Sequence, residues 1–141
     1  MMILARLPLL LVVAAALVAA ACGAAAGPQL KVLGAEKARR HSSPAMVLYV
    51  EVVNPVGRPL RLQKLQYTFA TGDENATRGE VRLERTVAAD AAVVVEVPVR
   101  LDGIALAPGD TFTLQGKLFA DVDSMQRTFS VATTGVAPGA P

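Results

Sequence analysis

The chain has 141 residues, the length of one domain, and a formal net charge of only +2 at pH 7, from 14 Lys and Arg against 12 Asp and Glu. This small imbalance, with two Tyr, four Phe and no Trp, argues against a basic or aromatic surface for nucleic acid. A single cysteine excludes an internal disulfide, and a single histidine leaves no His/Cys cluster for zinc.

The N-terminal segment has the three parts of an export signal. Residues 1–6 carry one positive charge, residues 7–21 are uncharged and rich in Leu, Val and Ala, and three alanines precede Cys22. This tripeptide resembles the lipobox of bacterial lipoproteins, in which the cysteine receives a diacylglycerol and becomes the mature N-terminus. Attack on the lipid requires a thiolate, which explains a cysteine at this position. We predict a lipoprotein signal peptide over residues 1–21 and acylation of Cys22 with chains such as palmitate.

Two alternatives for this segment stay open. Residues 7–26, about 20 in number, are just long enough to span a bilayer as an uncleaved helix. A plain secretory peptide cut after Ala21 would instead leave a free thiol. Under the lipoprotein interpretation, residues 22–28 are the lipidated cysteine and a short tether in the cell envelope. Gly23 differs from the aspartate that commonly retains such proteins in the inner membrane, so the resemblance favours an outer membrane, facing the periplasm, in a Gram-negative cell.

Beyond the tether, apolar and polar residues alternate in several runs, and no convincing run has helical spacing. The pattern predicts an all-β domain over residues 29–132, followed by a flexible tail over residues 133–141. Gly with Asp or Asn predicts turns at residues 71–75 and 107–110. The turn spacing is typical of a sandwich of about seven strands, which are predicted at residues 30–38, 46–53, 60–70, 77–87, 92–101, 111–120 and 125–132.

Alternation also assigns the buried faces of two strands. In residues 46–53 the even-numbered Met, Leu and Val side chains share one face, and in residues 92–101 the odd-numbered side chains form the core face. Pro98 lies within the second of these strands and has no N–H to donate to a ladder. That strand is therefore predicted to lie at a sheet edge or to leave its neighbour unpaired at that point.

The strand over residues 60–70 needs an irregularity to keep one apolar face. Its first two leucines have the opposite parity to Leu65 and Tyr67. One extra residue near Gln63 and Lys64, forming a β-bulge, restores a single inward face.

A run of motifs occupies residues 50–69, VEVVNPVGRPLRLQKLQYTF. It consists of an apolar strand that ends in Asn-Pro, then a Pro-Leu step, then the pattern Leu-x-x-Leu-x-Tyr. A glycine and the tripeptide Val-Pro-Val follow later in the chain. Asn54 is suited to cap the strand end, and Pro55 to stop the ladder. The set resembles the late embryogenesis abundant type 2 family (LEA type 2), also called the water stress and hypersensitive response (WHy) domain, over about residues 46–101. The matching residues are Asn54, Pro55, Pro59, Leu60, Leu62, Leu65, Tyr67, Gly72, Gly79, Val97, Pro98 and Val99. The resemblance implies an immunoglobulin-like or fibronectin-III-like β-sandwich, a protective role in stress, and no known catalytic residues.

The residues themselves offer little for catalysis or metal binding. The single histidine, His41, lies in a charged segment without a Ser-His-acid or Cys-His arrangement. Asp121, Asp123 and Ser124 would make at most half of a calcium site, because calcium takes six or more oxygens; an Asp-rich turn between strands is the alternative. We expect no enzyme activity, no metal and no cofactor.

One basic cluster, formed by Lys37, Arg39, Arg40 and His41, has two interpretations. Close to the lipid anchor it would suit anionic head groups. Alternatively, it is the solvated end of a strand.

Two functions of different classes fit these observations. The first is a membrane-anchored, non-catalytic lipoprotein that protects membranes or client proteins during desiccation or envelope stress. The alternative is an envelope adaptor that docks to a protein partner through a sheet edge, such as the one Pro98 marks. Both use the lipid on Cys22 to hold the domain at a membrane, and neither involves nucleic acid.

Overall fold

The computed structural model describes residues 27–40, 43–72 and 75–139. Seven β-strands account for most of this part of the chain. They are β1 (Gln29–Arg40), β2 (Ser43–Val53), β3 (Leu60–Thr71), β4 (Ala76–Val87), β5 (Ala92–Arg100), β6 (Thr111–Val122) and β7 (Met125–Val136). Each strand predicted from the alternation is present. The predicted signal peptide, Cys22 and His41 lie outside the described residues, and within them no helix is long and apolar enough to span a membrane.

The strands form two antiparallel sheets, one with the order β1-β2-β5 and the other with the order β4-β3-β6-β7. The sheets enclose a single apolar core, with β1 beside β7 along one side and β4 beside β5 along the other. The predicted all-β sandwich of seven strands is therefore confirmed.

The core faces follow the predicted parity. The even-numbered side chains of β2 from Met46 to Val52 are fully buried, and Val95, Val97 and Val99 of β5 are 5% exposed or less. Directly before Val95 on β5, Val94 remains 42% exposed. Burial of each such valine or leucine stabilises the fold by roughly 1.5–3 kcal/mol, so strand register is strongly specified.

Two β-bulges keep the apolar side chains of long strands facing inward. In β3 the register shifts between Leu62 and Lys64 against both neighbouring strands, which confirms the predicted bulge. A second bulge, not predicted, lies between Val32 and Gly34 of β1 and leaves Leu33 50% exposed. Such a bulge bends the strand and increases its twist.

The structure corrects the predicted C-terminal boundary of the sandwich at residue 132. β7 continues to Val136 because the facing strand β6 extends far enough to pair with residues 133–136. Ala137 is 4% exposed, and its N–H donates to the Asp110 carbonyl at 2.8 Å. Residues 133–137 are therefore part of the packed domain, although they were predicted to lie in the flexible tail.

The strand directions give the sandwich two distinct ends. The near end, where β1 begins at Gln29, also carries the connection that starts at Asn54 and the β6–β7 turn. The far end carries the β1–β2 and β5–β6 connections. At about 3.3 Å per residue, Lys37 lies roughly 26 Å along β1 from Gln29. Lys37, Arg39 and Arg40 of the basic cluster are thus toward the end away from the predicted tether.

Candidate functional site

Asn54 joins two connections at the near end of the sandwich. It is fully buried, and its Nδ2 donates to the carbonyls of Arg58 at 2.8 Å, Val87 at 3.3 Å and Ala88 at 3.2 Å. Its Oδ1 accepts a hydrogen bond from the Val56 N–H at 3.1 Å. A buried amide so fully paired fixes the backbone around it. Asn54 therefore ties the β2–β3 connection to the β4–β5 connection, a larger role than capping one strand.

Tyr67 joins the two sheets on the β4/β5 side. Its ring is 7% exposed, and its hydroxyl donates to the Pro98 carbonyl of β5 in the opposite sheet. Burial raises the pKa of Tyr67 above its ordinary value, although the charge on Arg100 opposes the rise. The phenol is consequently neutral at physiological pH and keeps the proton that it donates.

A glycine on each neighbouring strand lies against Tyr67: Gly79 leaves room for its ring, and Gly116 lets the β6 backbone approach the β3 backbone closely. Gly79 of β4 and Gly116 of β6 are its cross-strand partners. A Cβ on Gly79 would lie 2.5 Å from Tyr67 Cζ, and one on Gly116 would lie 2.8 Å from Tyr67 Cα. Both distances are too short for real carbon contacts. The Gly79 and Tyr67 positions, noted separately in the sequence, are therefore two halves of one packing unit.

Other motif residues lie at the near end or in the core, whereas Gly72 follows β3 at the far end. Leu60 is 1% exposed at the start of β3, whereas Pro55 is half-buried and Pro59 is exposed in the connection before it. Among the motif residues, Asn54 and Tyr67 make long-range polar contacts, through the Asn54 amide and the Tyr67 hydroxyl. Sequence reasoning missed their long-range partners, since a side chain's identity does not reveal which distant carbonyl it reaches.

Pro98 lies on an edge strand, as predicted, because β5 pairs only with β2. The backbone N–H and C=O groups of the odd-numbered β5 residues point toward β2. The Leu101 N–H continues this pairing by donating to the Pro44 carbonyl at 3.0 Å. The even-numbered residues therefore point their backbone groups to the free edge. There Pro98 has no N–H, its carbonyl accepts from Tyr67, and the Val94 carbonyl accepts from Arg85 Nη1 at 2.9 Å. Two carbonyls of this edge are thus occupied from within the domain, and one N–H is missing.

The carboxylates considered for calcium bind different partners. Asp121 Oδ2 accepts from Gln63 Nε2 at 2.7 Å, and Asp123 pairs with Arg58 at the near end. Asp123 and Ser124 have positive φ angles of 51° and 64°, as in a two-residue hairpin turn. Within the described ranges no three His, Cys, Asp or Glu side chains are grouped as metal ligands. The geometry here is that of the Asp-rich turn.

The outer face of the three-stranded sheet has one notable polar contact. The Tyr49 hydroxyl donates to Glu36 Oε2 at 3.0 Å across β1 and β2. This hydrogen bond, followed by burial and the charges of Glu36 and Glu96, raises the pKa of Tyr49. The contact is exposed and has the form of a cross-strand pair.

Comparison with known proteins gives similarity only at the level of structure. No protein-family model matches the chain, and no curated protein matches it. A candidate late embryogenesis abundant (LEA) protein of known solution structure superposes with a TM-score of 0.57 at 17% identity, over 80% of this chain and 72% of that one. The chain has an LEA-like fold. The resemblance seen in the sequence motifs is confirmed at this level.

Two further structures share the LEA-like fold. An Arabidopsis thaliana protein gives a TM-score of 0.60 at 15% identity, covering 78% of this chain and 80% of its own. A candidate ApaA protein from Bordetella pertussis gives 0.53 at 12% identity, covering 79% and 94%. At such identities the similarity establishes the architecture, and activity must be argued from this chain's own residues.

Proposed function

We propose that this protein is a membrane-anchored, non-catalytic protective domain that acts in desiccation or envelope stress. The observation that carries the proposal is that the motif residues of the LEA-like fold are engaged in internal contacts. Asn54 and Tyr67 direct their polar atoms to backbone carbonyls of the same domain. What the domain offers to other molecules is therefore its outer sheet faces and strand edges.

The N-terminal sequence supports an anchored location for this surface. Cys22 follows an apolar segment of the length and composition expected for a lipoprotein signal. The tether from residue 23 to residue 28, at no more than about 3.5 Å per residue, reaches roughly 20 Å. Under this proposal the near end faces the bilayer, and the domain protects membranes or proteins beside it.

The envelope adaptor is the second candidate function, and one observation bears on it. Docking through β5 would meet the carbonyls of Val94 and Pro98 already hydrogen-bonded. β7 is a terminal strand of the four-stranded sheet, and it carries no proline. An adaptor built on this domain would therefore dock through β7.

One paired assay separates the two functions. Lactate dehydrogenase is dried with vesicles that carry the full chain, with bare vesicles plus albumin at equal mass as the control, and its activity is measured after rehydration. We expect the full chain to preserve more activity than albumin does. Cross-linking in intact cells is the second arm. A single dominant envelope partner, together with no protection beyond albumin, would refute the protective proposal in favour of the adaptor.

A further inference from the structure

The free edge of β7 carries a regular row of backbone donors and acceptors. Val122 and Met125 close the two-residue β6–β7 turn and are paired in register. In such a turn the closing residues are hydrogen-bonded to each other, and the pairing then repeats at every second residue. Odd-numbered β7 residues therefore bond to β6, and the Ala137 N–H to the Asp110 carbonyl continues the series. The N–H and C=O groups of the even-numbered residues point away from the sheet.

These even-numbered residues are all solvent-exposed. They are Gln126, Thr128, Ser130, Ala132, Thr134 and Val136. β7 is a terminal strand of its sheet, and its register with β6 has no shift. Over the described residues, no backbone hydrogen bond from another strand reaches this edge. The edge thus presents a straight ladder with one side unpaired.

The other three edges each carry a feature that discourages strand addition. β5 has Pro98 and two occupied carbonyls, and β1 is interrupted by the bulge at Leu33. β4 has charged side chains along most of its length and a positive φ of 46° at Glu84. Bulges, prolines and charges are the devices by which proteins protect sheet edges. Within β7, Arg127 is the single charged residue.

We propose that the β7 edge is the surface that binds client proteins, and that it takes an extended segment of an unfolded polypeptide as an added strand. This inference rests on the proposed protective function. Only an extended backbone matches donors and acceptors that recur at every second residue. From Ser130 to Val136 the side chains of β7 are small and uncharged, so this part of the edge accepts varied sequences, and Arg127 adds a preference for an acidic residue near it.

A second copy of the chain is a poorer occupant of this edge. Two β7 edges related by a two-fold axis pair antiparallel, which places the near ends of the two copies at opposite ends of the joined sheet. A 12-residue strand is roughly 40 Å long, about twice the reach of the proposed tether. With the near end facing the bilayer, as proposed above, the strands stand upright on the membrane, and the tether of the second copy would then not reach the same bilayer.

The test measures binding of a permanently unfolded probe, reduced and carboxymethylated α-lactalbumin, to vesicles that carry the full chain. Ser130→Pro removes one edge-facing N–H while leaving the β6 ladder intact, and proline is tolerated at such positions. Ser130→Ala is the matched control, because it retains the N–H. We expect Ser130→Pro to weaken probe binding about tenfold and Ser130→Ala to leave it unchanged. Circular dichroism checks that both variants are folded.

Hydrogen exchange locates the bound probe. We expect the amides of Thr128, Ser130 and Ala132 to gain protection when the probe binds. Absence of binding, equal binding by both variants, or protection confined to another surface would overturn the inference. So would protection of these amides without probe, which would show that a second copy or another segment of the chain occupies the edge. If drying protection of lactate dehydrogenase persists in Ser130→Pro, the β7 assignment fails while the protective function stands.

Discussion

Replacement of Asn54 by alanine removes the contact that joins the two connections at the near end. The side chain has two N–H hydrogens, which it shares among the carbonyls of Arg58, Val87 and Ala88, and its oxygen accepts from Val56. Asn54→Ala eliminates these bonds and leaves buried backbone groups without partners. We expect it to be among the most destabilising single truncations of a polar side chain in the domain.

The magnitude follows from the number of bonds lost. Three hydrogen bonds at about 1 kcal/mol each, with about 1–2 kcal/mol for carbonyls left unpaired, give a loss of about 4–5 kcal/mol. Domains of this size have a total stability of about 5–15 kcal/mol. The corresponding decrease in Tm is about 10–20 °C. Asn54→Asp has the same size but points a charged oxygen at carbonyl oxygens, so its cost at pH 7 is at least as large.

The assay is thermal and urea unfolding of the full chain in detergent, followed by circular dichroism. Gln66→Ala is the matched control, because this exposed amide donates one hydrogen bond to Glu80 at 3.1 Å. The control should lose no more than about 0.5 kcal/mol. If Asn54→Ala lost less than about 1 kcal/mol, or no more than the control, the near-end role of Asn54 would be refuted.

Three further predictions concern the core, the tyrosine contact and the anchor. Val95→Asp should abolish folding while Val94→Asp is mild, because these side chains are 5% and 42% exposed; equal losses of Tm would contradict the register. In Tyr49→Phe, Tyr67 is the only tyrosine left, and ultraviolet titration of the folded protein should give a midpoint above pH 10. Because the pKa of Tyr67 is raised in the folded state, the contribution of this tyrosine to stability is present below pH 10 and is lost as the pH rises through the folded pKa. A midpoint at or below pH 10 would contradict this prediction. Cys22→Ser should move the chain from the membrane fraction to the soluble fraction, since acyl chains supply about 0.8 kcal/mol per buried CH₂; unchanged membrane binding with the apolar segment retained by mass would favour the helical anchor.

Much of the fold was predictable because each strand buries one face, which leaves a period of two in the sequence. The β3 bulge was visible for the same reason, since the parity of its apolar residues reverses at Gln63. In β1 the equivalent reversal at Leu33 falls among Val, Leu, Gly and Ala residues, which give no contrast between faces. The end of β7 was missed because Thr-Thr-Gly-Val resembles loop composition, and its pairing depends on the length of β6.

The candidate site was less predictable, because its contacts join residues that are distant in the sequence. The residue types of Asn54 and Tyr67 were noted, yet their partners lie about 30 residues away, at Val87 and Pro98. The free edge of β7 likewise results from the order of the strands within the sheet, which the alternation of apolar and polar residues does not determine. Sequence patterns identified the residues, and the topology determined which of them meet.

Under the proposed function, the domain protects its surroundings because it is held beside a membrane. The most direct measurement is desiccation survival of a deletion strain complemented with the wild-type chain or with Cys22→Ser, at equal abundance by immunoblot. We predict that deletion lowers survival, that the wild-type chain restores it, and that Cys22→Ser restores much less. Normal survival of the deletion strain, or full rescue by Cys22→Ser, would contradict it.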